Sequence, residues 1–174
     1  TPAEWDEPAI LLAEELGCDK VAVAIPGGAT RSESVKLAVD EIPDDAAVIL
    51  VHDAARPLVT DDVVDRLLKA VLAGYDAAVP GLPVTDTIKR WAGGVVTETP
   101  PRAELVAVQT PQAFLADTLR RALRMGDLAA ATDDASLVEA AGGRVTVVPG
   151  DPRLMKVTGP DDVARCLALL EAGA

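Results

Sequence analysis

Val48-Ile49-Leu50-Val51-His52-Asp53-Ala54-Ala55-Arg56-Pro57 is the stretch on which the fold turns. Its first four residues are unbroken aliphatic side chains, the pattern of a strand covered on both faces in an α/β sheet. The run then stops on an acid, two small residues, an arginine and a proline. Open α/β sheets bind ligands at the carboxyl ends of their strands. An Asp placed there can hold a divalent cation against phosphate oxygens, and small residues let a ligand reach the backbone. A plainer reading stays open on these residues alone: Asp53 caps the next turn, with Arg56 as its ion-pair partner. His52, the only histidine, reads as hydrogen-bonded scaffolding rather than a catalytic base.

Outward from this stretch, apolar strand-like runs recur at residues 21–25, 47–51, 77–79, 105–108 and 145–148. Between most of them, apolar residues three and four apart predict helices over residues 6–16, 32–41, 61–73, 116–125, 133–141 and 160–171. Asp6 is expected to cap the first helix, with Pro8 in its first turn and Gly17 past its end. Thr158 is expected to cap the last, with Asp161 completing a near capping box. The alternation predicts a mainly parallel, doubly wound α/β sheet with helices on both faces, in a single domain over residues 1–174. One region breaks the rhythm. Residues 83–90 are extended and polar-alternating, Gly93-Gly94 makes a turn, and residues 95–99 run back, predicting a hairpin arm over about residues 83–106.

Hydrophobic residues make up 49% of the 174 and aromatics 2%, so Val, Leu, Ile and Ala must build the core. A formal net charge of −12 argues against nucleic acid or an anionic membrane as partner. It leaves room for a small phosphorylated ligand, which a few local cations and backbone amides can hold. Cys18 and Cys166 lie far apart without metal-ligand spacing and are expected to be buried, reduced thiols. With no membrane-spanning run and no signal-peptide pattern in these residues, the expected location is cytoplasmic.

Four further segments carry chemistry. Pro26-Gly27-Gly28-Ala29-Thr30-Arg31-Ser32-Glu33-Ser34 is a glycine-rich turn into a helix, able to offer amides to a base or phosphate or simply to cap the helix. Thr87, Lys89 and Arg102 sit on the arm and Thr110-Pro111-Gln112 follows it, a set of cations and hydroxyls suited to phosphate or to plain solvation. Thr132-Asp133-Asp134 is a candidate helix cap. Lys156 interrupts the apolar Leu154-Met155-Lys156-Val157, either facing a cleft or guarding a sheet edge.

In order along the chain, Gly27-Gly28-Ala29-Thr30-Arg31 with Ser34, His52-Asp53-Ala54-Ala55-Arg56-Pro57, Pro83-Val84-Thr85-Asp86-Thr87-Ile88-Lys89, Thr110-Pro111-Gln112-Ala113-Phe114, Thr132-Asp133-Asp134-Ala135-Ser136 and Lys156-Val157-Thr158 closely resemble the 2-C-methyl-D-erythritol 4-phosphate cytidylyltransferase family of the non-mevalonate isoprenoid pathway. The resemblance implies a Rossmann-like nucleotidyltransferase fold and transfer of a cytidylyl group from CTP to methylerythritol phosphate, with release of pyrophosphate. It implies cytosine recognition by Gly28, Ala29 and Ser34, and Ala54 near the ribose. Asp53 would hold Mg²⁺ or another divalent cation, and Lys156 would stabilise charge at the reacting phosphate. Arg56, Thr110, Thr132 and Lys156 would line the sugar-phosphate site. A homodimer formed through the arm would bring Thr87 and Arg102 to the partner's site. Ala29 stands where the family often has an acid, a change that a backbone contact survives. The family's N-terminal glycine-rich loop, with its arginine and following lysine, is not among these residues, so the domain is expected to be N-terminally incomplete. Two alternatives accompany this reading: a related pyrimidinyltransferase for another polyol phosphate such as ribitol 5-phosphate, and a non-catalytic dimerisation module.

Overall fold

The computed structural model describes residues 1–172 and divides into two compact units. The first comprises Thr1–Ile49 and Leu115–Arg144; the second comprises Leu50–Phe114 and the chain from Val145 onward.

The first unit is helical. It contains α1 (Asp6–Glu15), α2 (Arg31–Asp40), α4 (Ala116–Met125) and α5 (Asp134–Ala140), with α4 packed on both α2 and α5. Leu119, Ala122 and Leu123 of α4 are buried on one stripe, and Leu137 and Val138 of α5 and Val39 of α2 are buried with them in this unit's core. Thr30 caps α2 in a reciprocal box: its hydroxyl accepts from Glu33 N at 3.1 Å and the Glu33 carboxylate accepts from Thr30 N at 3.1 Å, a motif worth about 1 kcal/mol. Arg120 ties the end of α2 down by donating to the carbonyls of Ile42, Pro43 and Asp44. By contrast, α1 buries none of its residues, and Leu11, Leu12, Leu16, Val21 and Val23 are exposed.

The second unit is built on β2 (Ala77–Pro83). One of its edges pairs in parallel with β7 (Val145–Pro149), in the register Ala77↔Val145 to Gly81↔Pro149. Its other edge pairs antiparallel with β6 (Gln112–Leu115) at Ala78↔Ala113 and with β5 (Val106–Val108) at Gly81↔Val108. The summed partner numbers are 191 for Ala78↔Ala113 and 189 for Gly81↔Val108, so two extra residues bulge out between β5 and β6. β1 (Val48–Val51) lies beyond β6. Gly81 has no room for a side chain: a Cβ there would stand 2.3 Å from Val106 and 2.8 Å from Val147. Val63, Leu67 and Val71, four residues apart on α3 (Asp61–Leu72), are fully or almost fully buried where α3 packs on β2 and β7. Each such side chain contributes roughly 1.5–3 kcal/mol on burial. A short 3₁₀ turn (Pro152–Leu154) and α6 (Pro160–Glu171) complete the unit.

The α/β class is as expected, but the sheet is mixed rather than mainly parallel around β2. After β2 the chain leaves through the arm and returns beside its own starting strand, and a hairpin-type return is necessarily antiparallel. The arm is present as a separate two-stranded sheet, β3 (Arg90–Ala92) with β4 (Val95–Glu98), turned at Gly93 and Gly94 with φ of 57° and 84°. Four other expectations need correction. Residues 21–25 form no strand, since no sheet edge pairs with them among the described residues. Leu50 is 37% exposed, so β1 is not covered on both faces. Cys18, just past α1, is exposed, whereas Cys166 is buried as expected. The caps of α1 and α6 fall on Trp5 and Gly159 rather than Asp6 and Thr158. At α6 it is Asp162 that closes the first turn, accepting from Thr158 N, Thr158 Oγ1 and Gly159 N.

Candidate active site

In the second unit, Asp53 leaves the end of β1 partly exposed and meets two cations. Lys156 Nζ donates to its Oδ2 at 3.0 Å, and Arg56 Nε stands 3.7 Å from the same oxygen. Arg56, mostly buried, also donates through Nη1 to the carbonyl of Leu154. The backbone closes the arrangement: Val157 N donates to Ala55 O at 2.8 Å, directly beside Lys156. Lys156 thus sits on an extended loop between the 3₁₀ turn and α6, 48% exposed, which removes the edge-strand reading. Thr110, buried in the bulge between β5 and β6, accepts from Asp53 N at 3.0 Å.

His52 is the scaffold residue expected. Its Nε2 lies 2.9 Å from the Arg56 carbonyl and its Nδ1 lies 3.1 Å from Thr110 Oγ1. A carbonyl only accepts, so Nε2 carries the proton and Nδ1 accepts from the Thr110 hydroxyl. The ring therefore locks the turn that presents Asp53 and Arg56, with both nitrogens engaged.

The loop carrying Lys156 is anchored by a residue that motif reading passed over. Gln109, buried, donates through Nε2 to Asp151 O at 2.8 Å and accepts from Asp151 N at 3.0 Å, so its amide pairs with a peptide unit as a neighbouring strand would. Asp151 caps the 3₁₀ turn through Arg153 N and binds the Arg153 guanidinium at 2.7 Å. Those hydrogen bonds hold its carboxyl below the usual carboxylate range. No sequence signal marks Gln109, because its partner lies 42 residues away.

In the first unit, the Gly27-Gly28 turn folds onto α2: Gly28 N donates to Ser34 Oγ at 3.0 Å, and that hydroxyl donates to Thr30 O at 3.0 Å. Ala29 is exposed at the tip. Thr132 is exposed just before α5, whose cap is Asp133, accepting from Ser136 N at 2.9 Å. The next residue, Asp134, is fully buried and ion-pairs with Arg31 of α2 at 2.9 Å. Burial pushes its carboxyl up, against the pull of Arg31. On the arm, Thr87 and Arg102 are exposed, and Arg102 Nη1 donates to Thr85 O at 2.8 Å. The structure thus gathers Asp53, Ala54, Arg56, Thr110 and Lys156 in the second unit. Gly28, Ala29, Ser34 and Thr132 lie in the first, and Thr87 and Arg102 on the arm.

The family model for 2-C-methyl-D-erythritol 4-phosphate cytidylyltransferase matches residues 6–172. The chain belongs to that family. It is 48% identical over 160 residues to the 2-C-methyl-D-erythritol 4-phosphate cytidylyltransferase of Frankia casuarinae, covering 91% of this chain and 59% of that protein. It is 47% identical to the same-named protein of Nocardia farcinica, covering 99% of this chain and 73% of that one. Among solved structures, that of the Thermus thermophilus cytidylyltransferase superposes with a TM-score of 0.75 at 40% identity, covering 86% of this chain and 74% of the other. Against a bifunctional relative from Solidesulfovibrio magneticus, 50% identical over the aligned residues, the chain spans 36% of the length. It therefore spans less than two thirds of several of the relatives it matches.

Proposed function

We propose that the protein transfers a cytidylyl group from CTP to 2-C-methyl-D-erythritol 4-phosphate, giving 4-diphosphocytidyl-2-C-methyl-D-erythritol and pyrophosphate, in isoprenoid biosynthesis. The observation that carries this reading is the Asp53–Lys156–Arg56 cluster at a strand end, in a chain of the cytidylyltransferase family. A phosphate oxygen of the acceptor attacks the α-phosphorus of CTP. The new P–O bond forms as the bond to the β-phosphate oxygen breaks, and its electron pair leaves with pyrophosphate. Such transfers depend on positioning and charge stabilisation rather than on a covalent protein intermediate. In this reading Lys156, held by Asp53, passes to a phosphate oxygen, while Arg56 at the same Asp53 oxygen and Thr110 at Asp53 N hold the turn in place. Arg56, Thr110, Thr132 and Lys156 serve the sugar phosphate in this reading. Gly28, Ala29 and Ser34 serve the cytosine, and Ala54 the ribose.

No group of three or more potential metal ligands occurs among the described residues. A single carboxylate, Asp53, fits a Mg²⁺ whose other ligands are substrate phosphates and water. When bound, that ion would neutralise phosphate charge. The reading includes a cytoplasmic homodimer in which Thr87 and Arg102 reach the partner's site. No described helix is long and apolar enough to cross a membrane.

The test is turnover by the full-length protein with CTP and Mg²⁺, offering methylerythritol phosphate and ribitol 5-phosphate separately. Pyrophosphate release with the former is expected. Product from ribitol phosphate alone would replace the acceptor, and no product from either would leave a non-catalytic module.

A further inference from the structure

We propose that Asp134 is a positioning residue: through its ion pair with Arg31 it holds the Gly27-Gly28-Ala29-Thr30 turn in the shape that reads the base of the nucleotide. The proposal rests on the cytidylyltransferase reading and adds a residue to it.

Arg31 is the first residue of α2, immediately after the capping Thr30. A cation there faces the positive end of the helix dipole, where an anion would be favoured. Asp134 is the first residue of α5, and its side chain is wholly buried. The 2.9 Å ion pair with Arg31 meets the charge of that carboxylate. Arg31 is thus poorly placed on its own helix and Asp134 is wholly buried, and each is compensated by the other. Local rules broken in pairs are characteristic of functional positions rather than of stability.

The pair joins the start of α2 to the start of α5. At the first, Ser34 Oγ accepts from Gly28 N and donates to Thr30 O, and the Glu33 carboxylate accepts from Thr30 N, so the turn is anchored inside α2 by two side chains. A Cβ at Gly28 would stand 2.5 Å from Glu33 Cβ, showing how closely the turn lies on that helix. At the second stands Thr132, two residues before Asp134. Arg31 is the side chain that fixes the first turn of α2, and the turn it carries, against α5.

Burial raises the Asp134 carboxyl more than Arg31 lowers it. A folded-state pKa above the unfolded value means that the charged form costs stability once pH exceeds the usual carboxylate range. A buried carboxylate paired with one half-exposed guanidinium adds little net stability, so stability and base discrimination should separate on mutation.

The experiment compares the full-length protein with Asp134→Asn, which keeps the volume and removes the charge, and with Arg31→Gln, which alters a side chain 39% exposed. Three quantities are measured: kcat/KM for CTP relative to UTP, melting temperature, and hydrogen exchange of the amides of residues 27–30. In both variants the CTP preference should fall roughly tenfold, as expected when a recognition group is misplaced rather than deleted. The double variant should be no worse than either single. Exchange should quicken in residues 27–30, with the melting temperature of Asp134→Asn unchanged or higher. An unchanged CTP preference with a lower melting temperature would make the pair a structural staple and overturn the proposal. If the unmodified protein uses neither nucleotide, the cytidylyltransferase reading fails separately. Exchange then decides the positioning claim: unaltered exchange in residues 27–30 of both variants sinks it.

Discussion

The Asp53 cluster and the β3–β4 arm both carry charges, but they are held in opposite ways. Around Asp53 the bonds reach far along the chain: Thr110 lies 57 residues away, Lys156 lies 103 away, and Arg56 reaches Leu154 across 98. On the arm the bonds are local, Arg90 to Glu98, Lys89 to Thr99 and Arg102 to Thr85, spanning 8, 10 and 17 residues. In the cluster, Asp53 and Arg56 are 18 and 14% exposed and Lys156 is 48% exposed. The arm leaves Trp91, Val95 and Val96 at 68, 66 and 52% exposure. The fold of one chain fixes the cluster's geometry. The arm fixes only its own hairpin, with Trp91 and Val96 paired across its two strands.

The strongest way to break this contrast is at its rigid end. Asp53→Asn should lower kcat roughly 10³-fold, the scale lost when a preorganised electrostatic group is removed, with an unchanged circular dichroism spectrum. Retained turnover would take Asp53 out of the metal role. A mixed-subunit assay joins the two regions. Arg102→Ala and Lys156→Ala should each lose roughly 10²-fold in kcat/KM. Mixed dimers should recover activity, because one of their two sites is free of both changes. No recovery on mixing would show that the arm does not serve a partner.

Acid should act on the anchor of the lysine loop, through Asp151. Asp151 has a folded-state pKa below its unfolded value, so its contribution is present above the usual carboxylate range and disappears as pH falls through the folded value. The melting temperature of Asp151→Asn should therefore lie below that of the unmodified protein at pH 7, and the gap should close in strong acid. A constant gap would assign the effect to something other than charge. The smallest effect is expected at Gly94→Ala, where φ is 84°. A side chain there costs about 1 kcal/mol, spent on the hairpin alone, so dissociation of the proposed homodimer should rise several-fold at unchanged kcat.

Periodic helices were legible in the sequence because each needs only its own apolar stripe: α4 and α6 begin and end where the spacing says. Strands depend on a neighbour, and there the reading was weaker. The β-branched residues 21–25 have the composition of a strand but no partner edge among the described residues. Gln112-Ala113-Phe114-Leu115 forms a strand although it read only as a motif. Strand direction was hidden too, since it depends on how the chain returns from the arm. Of the predicted site, Asp53, Arg56, Thr110 and Lys156 come together because an ordered series of motifs marked them. Gln109 and the Arg31–Asp134 pair stayed invisible, since an amide or an ion pair acquires its meaning only from a partner dozens of residues away.

The bond from Val157 N to Ala55 O involves no side chain at all. Whatever residues other than proline occupy position 157, the strand-end turn and the lysine loop remain laced together. Ala54, Ala55 and Val157 are therefore open to exchange without unseating Asp53 or Lys156. A lining built on this seam can change while the cluster beside it keeps its shape.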